Sequence, residues 1–290
     1  MNPQCLRAVA PDESDSSEID SDPRDVEAAP GDSAAAREAA ALAVELEGAS
    51  ARRVLVTALE RFPSSLALFT SFQAEGMVLL DLVAKLGAEI PVLSLDTGRL
   101  PPETYDHIDR VRQHYGIEVE LVFPDAVEVQ EMVRRRGPNL FYASVDARLE
   151  CCRVRKVEPL RRALGPYAAW ITGLRRDQTQ DRARIAKVAL DPLNAPDRPL
   201  FKLSPLADWT HDDVWSYIRE HRVPYHPLYD RGYLSIGCAP CTRPTRPAED
   251  PRAGRWWWEQ EGSRECGLHV LHRPAAAPST AVAPAPESQS

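Results

Sequence analysis

Short apolar runs alternate with helical patterns through the middle of this 290-residue chain. The apolar runs cover residues 65–70, 91–95, 119–123 and 168–172, and the helical patterns cover residues 74–86, 102–114, 126–136 and 154–164. Alternation of this kind is typical of a parallel sheet with helices on both faces. The sequence therefore predicts an α/β fold built on a Rossmann-like, doubly wound and mostly parallel sheet.

Three loops should leave the carboxyl ends of the predicted strands, where such sheets bind ligands. These loops cover residues 70–75, 95–99 and 172–177. The first precedes a predicted helix N-terminus, whose backbone N–H groups and dipole favour phosphate. It lacks the glycines of a P-loop or dinucleotide fingerprint, so this signal is weak in isolation.

Flanking segments extend the predicted domain. Residues 34–61 fit a helix or a helix pair broken near Gly48. Residues 202–206 resemble a strand end, and Thr210 with Asp213 at the N3 position predicts a capped helix start. The side chains expected to pack inward from that helix are Trp215, Tyr217 and Ile218. The chain beyond this helix is rich in loops.

Acidic residues are concentrated at the N-terminus. The formal net charge of the chain is −8, and residues 1–32 carry −7 of it. Those residues have hardly any large apolar side chains, and residues 273–290 are rich in Pro, Ala and Ser, so both segments favour disorder. We predict disordered tails over residues 1–33 and 273–290 around a single α/β domain over residues 34–272.

Basic residues are concentrated inside the near-neutral body. Residues 134–187 hold fourteen Lys or Arg against five Asp or Glu. This pattern favours a site for an anionic ligand over a nucleic-acid surface, with a solvated basic face as the usual alternative. The sequence contains no run of about 18 apolar residues and no signal-peptide core, so we predict a cytoplasmic protein without a membrane span.

Five of the six cysteines fall in three places. They are Cys151 with Cys152, Cys238 with Cys241, and Cys266; Cys5 lies in the acidic tail and is expected to be a bystander. In a reducing compartment, clustered cysteines more often bind metal or react than form disulfides. A Cys-x-x-Cys turn suits zinc, an iron–sulfur cluster or a redox pair. Adjacent cysteines at a helix end point about 100° apart, which suits the separate irons of a cluster better than one zinc ion.

Cys266 stands apart from the two pairs, close to His269 and to the C-terminal tail. A thiol near a mobile chain end can enter and leave a site, and nearby cations raise the thiolate fraction that a nucleophile needs. The alternative is an exposed, inert cysteine. Residues 256–258 are consecutive tryptophans, which we expect to pack rather than to stack on bases.

Together these motifs resemble the assimilatory adenylyl-sulfate reductases, the iron–sulfur branch of the (phospho)adenylyl-sulfate reductase family. The matching segments are residues 95–99, 151–160, 171–178, 238–244, 252–258 and 265–269. The similarity extends over roughly residues 62–271. Family members without a cluster keep the terminal Glu-Cys-Gly-Leu-His but lack the four paired cysteines, so the combination is specific.

The resemblance implies an adenine nucleotide alpha hydrolase-like fold and reduction of adenylyl sulfate to sulfite and AMP. Cys266 would attack the sulfate sulfur, and thioredoxin or glutaredoxin would then cleave the resulting thiosulfonate. One 4Fe-4S cluster per chain would be held by Cys151, Cys152, Cys238 and Cys241. The residues that match substrate-binding positions are Ser71, Leu95, Asp96, Thr97, Gly98, Arg99, Lys156, Arg175, Arg176, Arg252, Arg255 and His269. Fixed cations would offset the repulsion between the thiolate and the dianionic substrate.

Two further hypotheses stay open at this point. One is a cluster-bearing enzyme that also accepts the 3′-phosphorylated substrate. The other is a zinc-stabilised nucleotide- or nucleic-acid-binding module without turnover, which would leave Cys266 without a role. The loop at residues 179–183 departs from the family's usual Ser-Pro-Gly-Thr-Arg, although Arg182 is available there. We expect no nucleic-acid or membrane partner, and a homo-oligomer is left open.

Overall fold

A computed structural model describes residues 33–259 and residue 268. Six strands form one sheet in the order β3-β2-β1-β4-β6-β5. The strands are β1 Leu66–Phe69, β2 Val92–Leu95, β3 Glu120–Val122, β4 Ala169–Ile171, β5 Val188–Leu190 and β6 Phe201–Leu203. Neighbouring strands are parallel except β5 and β6, which are antiparallel. The predicted Rossmann-like, mostly parallel sheet is confirmed.

Eight α-helices lie within the described residues. They are α1 Ala34–Leu46, α2 Ala51–Arg61, α3 Ala74–Lys85, α4 Pro102–Tyr115, α5 Ala126–Arg136, α6 Val145–Cys152, α7 Glu158–Leu164 and α8 His211–His221. A π-helical turn, Arg153–Val157, joins α6 to α7. None of the described helices is long and apolar enough to cross a membrane.

Both faces of the central strands are buried, which explains their uninterrupted apolar runs. Successive side chains of a strand point to opposite faces of the sheet. In β1, Leu66 and Leu68 join the main core, which also holds much of α2, α3 and α8, whereas Ala67 and Phe69 join a second core beside α7. The order of the strands along the sheet reverses between β1 and β4, so a crevice forms at their carboxyl ends.

Helix caps account for several boundaries that the sequence predicted. The break near Gly48 separates α1 from α2, and the Ser50 hydroxyl accepts a hydrogen bond from the Arg53 N–H (3.2 Å). At α8, Thr210 accepts from the Asp213 N–H (3.1 Å), while Asp213 accepts from the Thr210 N–H (2.8 Å). This reciprocal capping box confirms the predicted helix start.

Helix α6, strand β5 and the π-helical turn were absent from the sequence prediction. Strand β5 is only three residues long and pairs at the edge of the sheet, so its apolar signal is too short to distinguish from a loop. The helix predicted over residues 154–164 begins inside the π-helical turn, which continues directly from α6. A π-helical turn changes the faces on which successive side chains lie, and such turns are frequent at functional sites.

Both predicted tails lie outside the described residues except for Ser33, whose hydroxyl accepts a hydrogen bond from the Ala36 N–H (3.1 Å) and caps α1.

Candidate active site

A cavity of about 370 Å³ opens at the carboxyl ends of β1 and β4. Its volume is in the range of small-molecule sites. It is lined by the loops after β1, β2 and β4 and by the loop-rich C-terminal segment. The predicted substrate-binding residues that line it are Ser71, Leu95, Thr97, Lys156, Arg175, Arg252 and Arg255. The structure therefore brings together residues that lie far apart in the sequence.

The paired cysteines meet beside this cavity. Cys151, Cys238 and Cys241 pack in one hydrophobic cluster with Phe141 and other apolar side chains. Cys152 is buried at the last residue of α6. Cys238 also lines the cavity, and its sulfur lies 3.3 Å from the Thr97 hydroxyl oxygen. The Cys-x-x-Cys turn is thus connected directly to the loop after β2.

The thiols differ in the direction in which their surroundings shift the pKa. Burial raises the pKa of Cys151, and burial together with the neighbouring Cys238 raises the pKa of Cys241 to about 11. Burial acts on Cys238 in the same direction, but Lys156, the Thr97 hydroxyl and Arg255 stabilise its thiolate and hold its pKa below the usual value. The positive charges of Lys156 and Arg255 therefore favour the thiolate form of Cys238.

The donor set fits an iron–sulfur cluster by its chemistry. Within the described part of the chain, no three or more His, Cys, Asp or Glu side chains are grouped to hold a metal ion. A zinc site requires ligands that converge on one ion, whereas a 4Fe-4S cluster takes each thiolate on a different iron. Three of the four thiols share one apolar cluster, and cations surround Cys238.

The π-helical turn directs two consecutive cations inward. Arg155 and Lys156 are both more than nine-tenths buried. Arg155 donates from Nη1 to the Thr97 carbonyl oxygen (2.7 Å), and Lys156 lines the cavity next to Cys238. The carbonyl of Thr97 and its hydroxyl are therefore fixed from two directions, by a guanidinium and by a thiol.

Arg255 and Lys156 both line the cavity beside Cys238, and these two cations are called here the cationic wall. The Arg255 guanidinium lies 4.7 Å from the centre of the Trp256 ring and donates from Nη1 to the Ile236 carbonyl (3.3 Å). Gly237 packs against the guanidinium so closely that a Cβ atom there would overlap it. No carboxylate in residues 33–259 pairs with Arg255. Its charge is consequently available to an anion in the cavity.

Arg252 and Trp256 also line the cavity next to Arg255, whereas Trp257 and Trp258 are not among its lining residues. The backbone N–H of Arg252 donates to an Asp250 carboxylate oxygen (2.7 Å), and its side chain lines the cavity. Trp256 is fully buried, whereas Trp257 is 40% exposed and stacks edge-on against Trp258. The tryptophans thus pack mainly against protein, as predicted.

The loop after β2 is held by its own polar groups. Asp96 accepts from the Gly98 N–H (2.7 Å) and from the Tyr105 hydroxyl (2.9 Å). Gly98 has a φ of +68°, a conformation that glycine adopts without strain. Neither Asp96 nor Gly98 lines the cavity, so their contribution is to shape the loop that presents Thr97.

Arg99 points away from the cavity. It donates to the Pro138 carbonyl (2.7 Å) and to Asn139 Oδ1 (2.9 Å), and its guanidinium lies over the Phe141 ring. Its carbonyl accepts from the Ala239 N–H (2.8 Å). These contacts give Arg99 a structural role between the loop after β2 and the Cys-x-x-Cys turn.

The loop after β1 contains a strained residue. Phe72 is fully buried with a φ of +55°, and its N–H donates to the Thr70 hydroxyl (2.9 Å). Gln73 donates to the exposed Ser71 hydroxyl (2.9 Å) and accepts from the Ile236 N–H (2.8 Å). Ser71 is thereby presented at the cavity next to the N-terminus of α3.

Arg175 and Arg176 are neighbours with different surroundings. Arg175 is buried, lines the cavity, donates to Glu75 (2.9 Å) and pairs with Asp177. Arg176 pairs with the exposed Glu47 (2.7 Å) and does not line the cavity. Only the first of the two predicted arginines is therefore placed to contact a ligand there.

Sequence reasoning assigned no individual role to Glu75 or Gln178, and it named Arg182 only as available in its loop. Gln178 donates to Glu75 (2.9 Å) and accepts from Arg182 (2.5 Å), and all three line the cavity. The position of Glu75 in the loop before α3 and the polar run after β4 were the available signals. Their mutual contacts depend on the tertiary fold.

Leu268 is the one described residue of the terminal Glu-Cys-Gly-Leu-His motif. It lines the cavity and is buried in the second core. Cys266 and His269, like Cys5, lie outside the described residues, so their predicted roles stay predictions.

The chain is similar to known reductases. Residues 65–244 match the family model of the phosphoadenosine phosphosulfate reductase domain. The chain is 46% identical over 233 residues to the adenosine 5′-phosphosulfate reductase of Pseudomonas aeruginosa (strain LESB58), covering 79% of this chain and 86% of that protein. It is 47% identical over 233 residues to the chloroplastic 5′-adenylylsulfate reductase 3 of Arabidopsis thaliana, covering 79% of this chain and 50% of that protein.

A solved structure supports the same relationship. The phosphoadenylyl-sulfate reductase from Candida auris, in a phosphate complex, superposes with a TM-score of 0.60 at 30% identity. The match covers 71% of this chain and 97% of that one. The resemblance inferred from the cysteine motifs is confirmed, and the chain belongs to the phosphoadenosine phosphosulfate reductase family of oxidoreductases.

Proposed function

We propose that this reductase converts adenylyl sulfate to sulfite and AMP, with a dithiol protein of the thioredoxin or glutaredoxin type as reductant. The names of its relatives support the substrate. The observation that carries the proposal is the joint lining of one cavity. The Ser71 loop at a helix N-terminus, the cations Lys156 and Arg255, and Leu268, two residues after Cys266, all border it.

Chain connectivity supports Cys266 as the nucleophile. Two residues of extended chain span no more than about 7 Å, so a thiol two positions from Leu268 is within reach of the cavity. The cations on the wall would raise the fraction of a nearby thiol that is ionised. They would also reduce the repulsion between that thiolate and the anionic substrate.

The proposed first step is a nucleophilic substitution at sulfur. The Cys266 thiolate donates an electron pair to the sulfate sulfur, so that an S–S bond forms and the bond from sulfur to the phosphate oxygen breaks. AMP leaves with that bonding pair, and a thiosulfonate remains on Cys266. Arg255, which has no carboxylate partner among the described residues, would stabilise the charge on the departing phosphate.

The second step uses the external dithiol. One of its thiolates attacks the Cys266 sulfur, sulfite leaves with the S–S bonding pair, and a mixed disulfide forms. The second thiol of the donor then displaces Cys266 as a thiolate. The two electrons that reduce the sulfate sulfur thus come from the donor, which ends as a disulfide.

Four thiols would hold one 4Fe-4S cluster beside this chemistry, from Cys151, Cys152, Cys238 and Cys241. When bound, the cluster would contribute an electrostatic field next to the substrate. The residues that connect its ligands to the cavity are Thr97, through its hydroxyl, and Lys156, through its ammonium group.

The first test is the metal content of anaerobically purified protein. We expect about four irons and four acid-labile sulfides per chain, with a broad absorbance near 400 nm. One zinc without sulfide would refute the cluster and favour a zinc-stabilised binding module.

The second test separates chemistry from binding. In Cys266→Ser, sulfite release should fall by about 10⁴-fold or more, because no other group replaces the thiolate. AMP binding should change less than twofold. Retained sulfite formation in this variant would exclude Cys266 as the nucleophile, and Cys5→Ser serves as the matched control with unchanged turnover.

A further inference from the structure

A buried polar network binds Leu268 to the edge of the sheet. Asn194 Nδ2 donates to the Leu268 carbonyl oxygen (3.3 Å) and to Asp191 Oδ2 (2.7 Å). Asp191 Oδ2 also accepts from the Trp170 indole N–H (3.1 Å). Asn194 and Asp191 are each only 4% exposed. The catalytic scheme above assigns these two residues no role.

The partners of Asn194 fix the orientation of its amide. Both groups that face Nδ2, a carboxylate and a carbonyl, can only accept hydrogen bonds, so the amino side of the amide must point at them. The Asn194 backbone N–H donates to Asp191 Oδ1 (3.3 Å), which ties the two residues together within their turn. Asp191 therefore presents the Asn194 donor to Leu268.

The other side of the amide supplies a second observation. Asn194 Oδ1 is buried and accepts no hydrogen bond from residues 33–259 or 268. A buried acceptor without a partner is costly. The amide keeps this orientation because its amino group has two acceptors, Asp191 and the Leu268 carbonyl.

The Leu268 side chain is held as firmly as its carbonyl. It is 8% exposed and packs in the second core with Trp170, Ala195 and Leu200. Those residues come from β4 and from the turn and loop between β5 and β6. Apolar burial and a directed hydrogen bond thus act on the same residue, which also lines the cavity.

We propose that Asn194, oriented by Asp191, is a positioning residue that fixes Leu268 at the cavity and so sets the approach of the thiol two residues earlier. This inference rests on the proposed role of Cys266. It adds that the site depends on a network outside the cationic wall, formed by Asp191 and Asn194, which do not line the cavity. Asn194 acts on turnover through Leu268, and nucleotide binding is independent of it.

The test compares Asn194→Ala and Asn194→Leu with the wild-type holoenzyme. The Leu variant keeps the approximate size of the side chain and lacks the Nδ2 donor. Hydrogen–deuterium exchange should rise about three- to tenfold in the peptide that contains Leu268, the size expected for one lost hydrogen bond. kcat should fall by a similar factor, while the Kd for AMP stays within twofold.

Leu164→Ala is the matched control, because Leu164 is fully buried in the same core and contacts no substrate group. It should lower Tm without selectively changing exchange at Leu268 or the ratio of kcat to AMP affinity. Leu268→Ala should exceed both Asn194 variants in its effect on exchange.

Two outcomes would overturn the inference. One is unchanged exchange at Leu268 in both Asn194 variants; the other is increased exchange confined to residues 191–200. Exchange does not depend on turnover, so these outcomes are distinct from an active Cys266→Ser, which would refute the nucleophile and leave the anchoring of Leu268 intact.

Discussion

Arg255 and Arg175 line the same cavity, but their surroundings are opposite. Arg175 is paired with Glu75 and Asp177, whereas Arg255 lies over an indole ring and donates to a backbone carbonyl. Lys156 is next to a thiol on the side of Arg255. A cation that is paired with carboxylates contributes little net charge to the cavity. A cation held by neutral groups contributes its full charge, which can stabilise an anionic ligand. We propose on this basis that Arg255 acts in the chemical step and that Arg175 shapes the pocket.

The largest effect is expected from removing Arg255, which has no carboxylate partner among the described residues. Arg255→Ala should lower kcat by about 10²- to 10³-fold, the range seen when one preorganised donor to a developing anion is lost. Arg255→Lys should recover only part of this loss, because an ammonium group does not reproduce the planar fork. Steady-state kinetics with adenylyl sulfate measures both. Arg176→Ala, with its exposed pair to Glu47, should stay within twofold of wild type.

Displacing Arg255 without deleting it should give a smaller loss. In Gly237→Ala the new Cβ would overlap the guanidinium, which must then move from its position over Trp256. We expect about a tenfold decrease in kcat, since misplacement of a catalytic group is costly even when the group is present. Gly48→Ala is the control, because a Cβ there meets no atom within 4 Å. Equal activity of the two variants would show that the position of Arg255 is unimportant.

Changing Glu75, a carboxylate partner of Arg175, should affect substrate binding more than the rate of the chemical step. Glu75→Gln removes one of the two carboxylate partners of Arg175 and weakens the acceptor that Gln178 uses. Loss of one charged hydrogen bond should raise KM about five- to tenfold with kcat changed less than threefold. A fall in kcat as large as that in Arg255→Ala would contradict the proposed functional difference between Arg255 and Arg175.

The smallest effect on activity is expected for His107, which supports the loop after β1 and whose substitution should change mainly the pH dependence of stability. His107 is fully buried edge-on to Phe72 and 5.3 Å from the His226 ring. Burial, with smaller contributions from His226 and Arg110, lowers the pKa of His107 to about 3; burial lowers that of His226 to about 4. Both histidines are therefore neutral in the folded protein at pH 7.

These lowered pKa values make stability fall on acidification, because the unfolded chain binds protons near pH 6.5 and the folded chain does not. Between pH 7.5 and 5.5, His107 alone should contribute a loss of about 1 kcal/mol. Urea unfolding of His107→Leu should show a correspondingly weaker pH dependence. An unchanged pH dependence in His107→Leu would contradict the assignment.

Prediction from sequence was most successful where a local pattern and the tertiary environment agree. The strands β1, β2 and β4 are buried on both faces, so their apolar runs stand out, and Thr210 with Asp213 satisfies a cap within four residues. β5 was missed because a three-residue antiparallel edge strand has almost no local signal. Asn194 could not be linked to Leu268 from the sequence, because the two residues are 74 positions apart and no local pattern records their contact.

The sequence by itself determined the α/β class, the family and the set of candidate functional residues. It could do so because strand–helix alternation, cysteine spacing and the terminal motif are local patterns. Only the tertiary structure decided which of these residues act together. It directed Arg175 into the cavity and Arg176 out of it, tied Arg99 to the Pro138 carbonyl, and left Arg255 without a carboxylate partner in the described chain. The physical reason is that the free energy of a charge depends on what is within a few ångströms of it, and those neighbours come from distant parts of the chain.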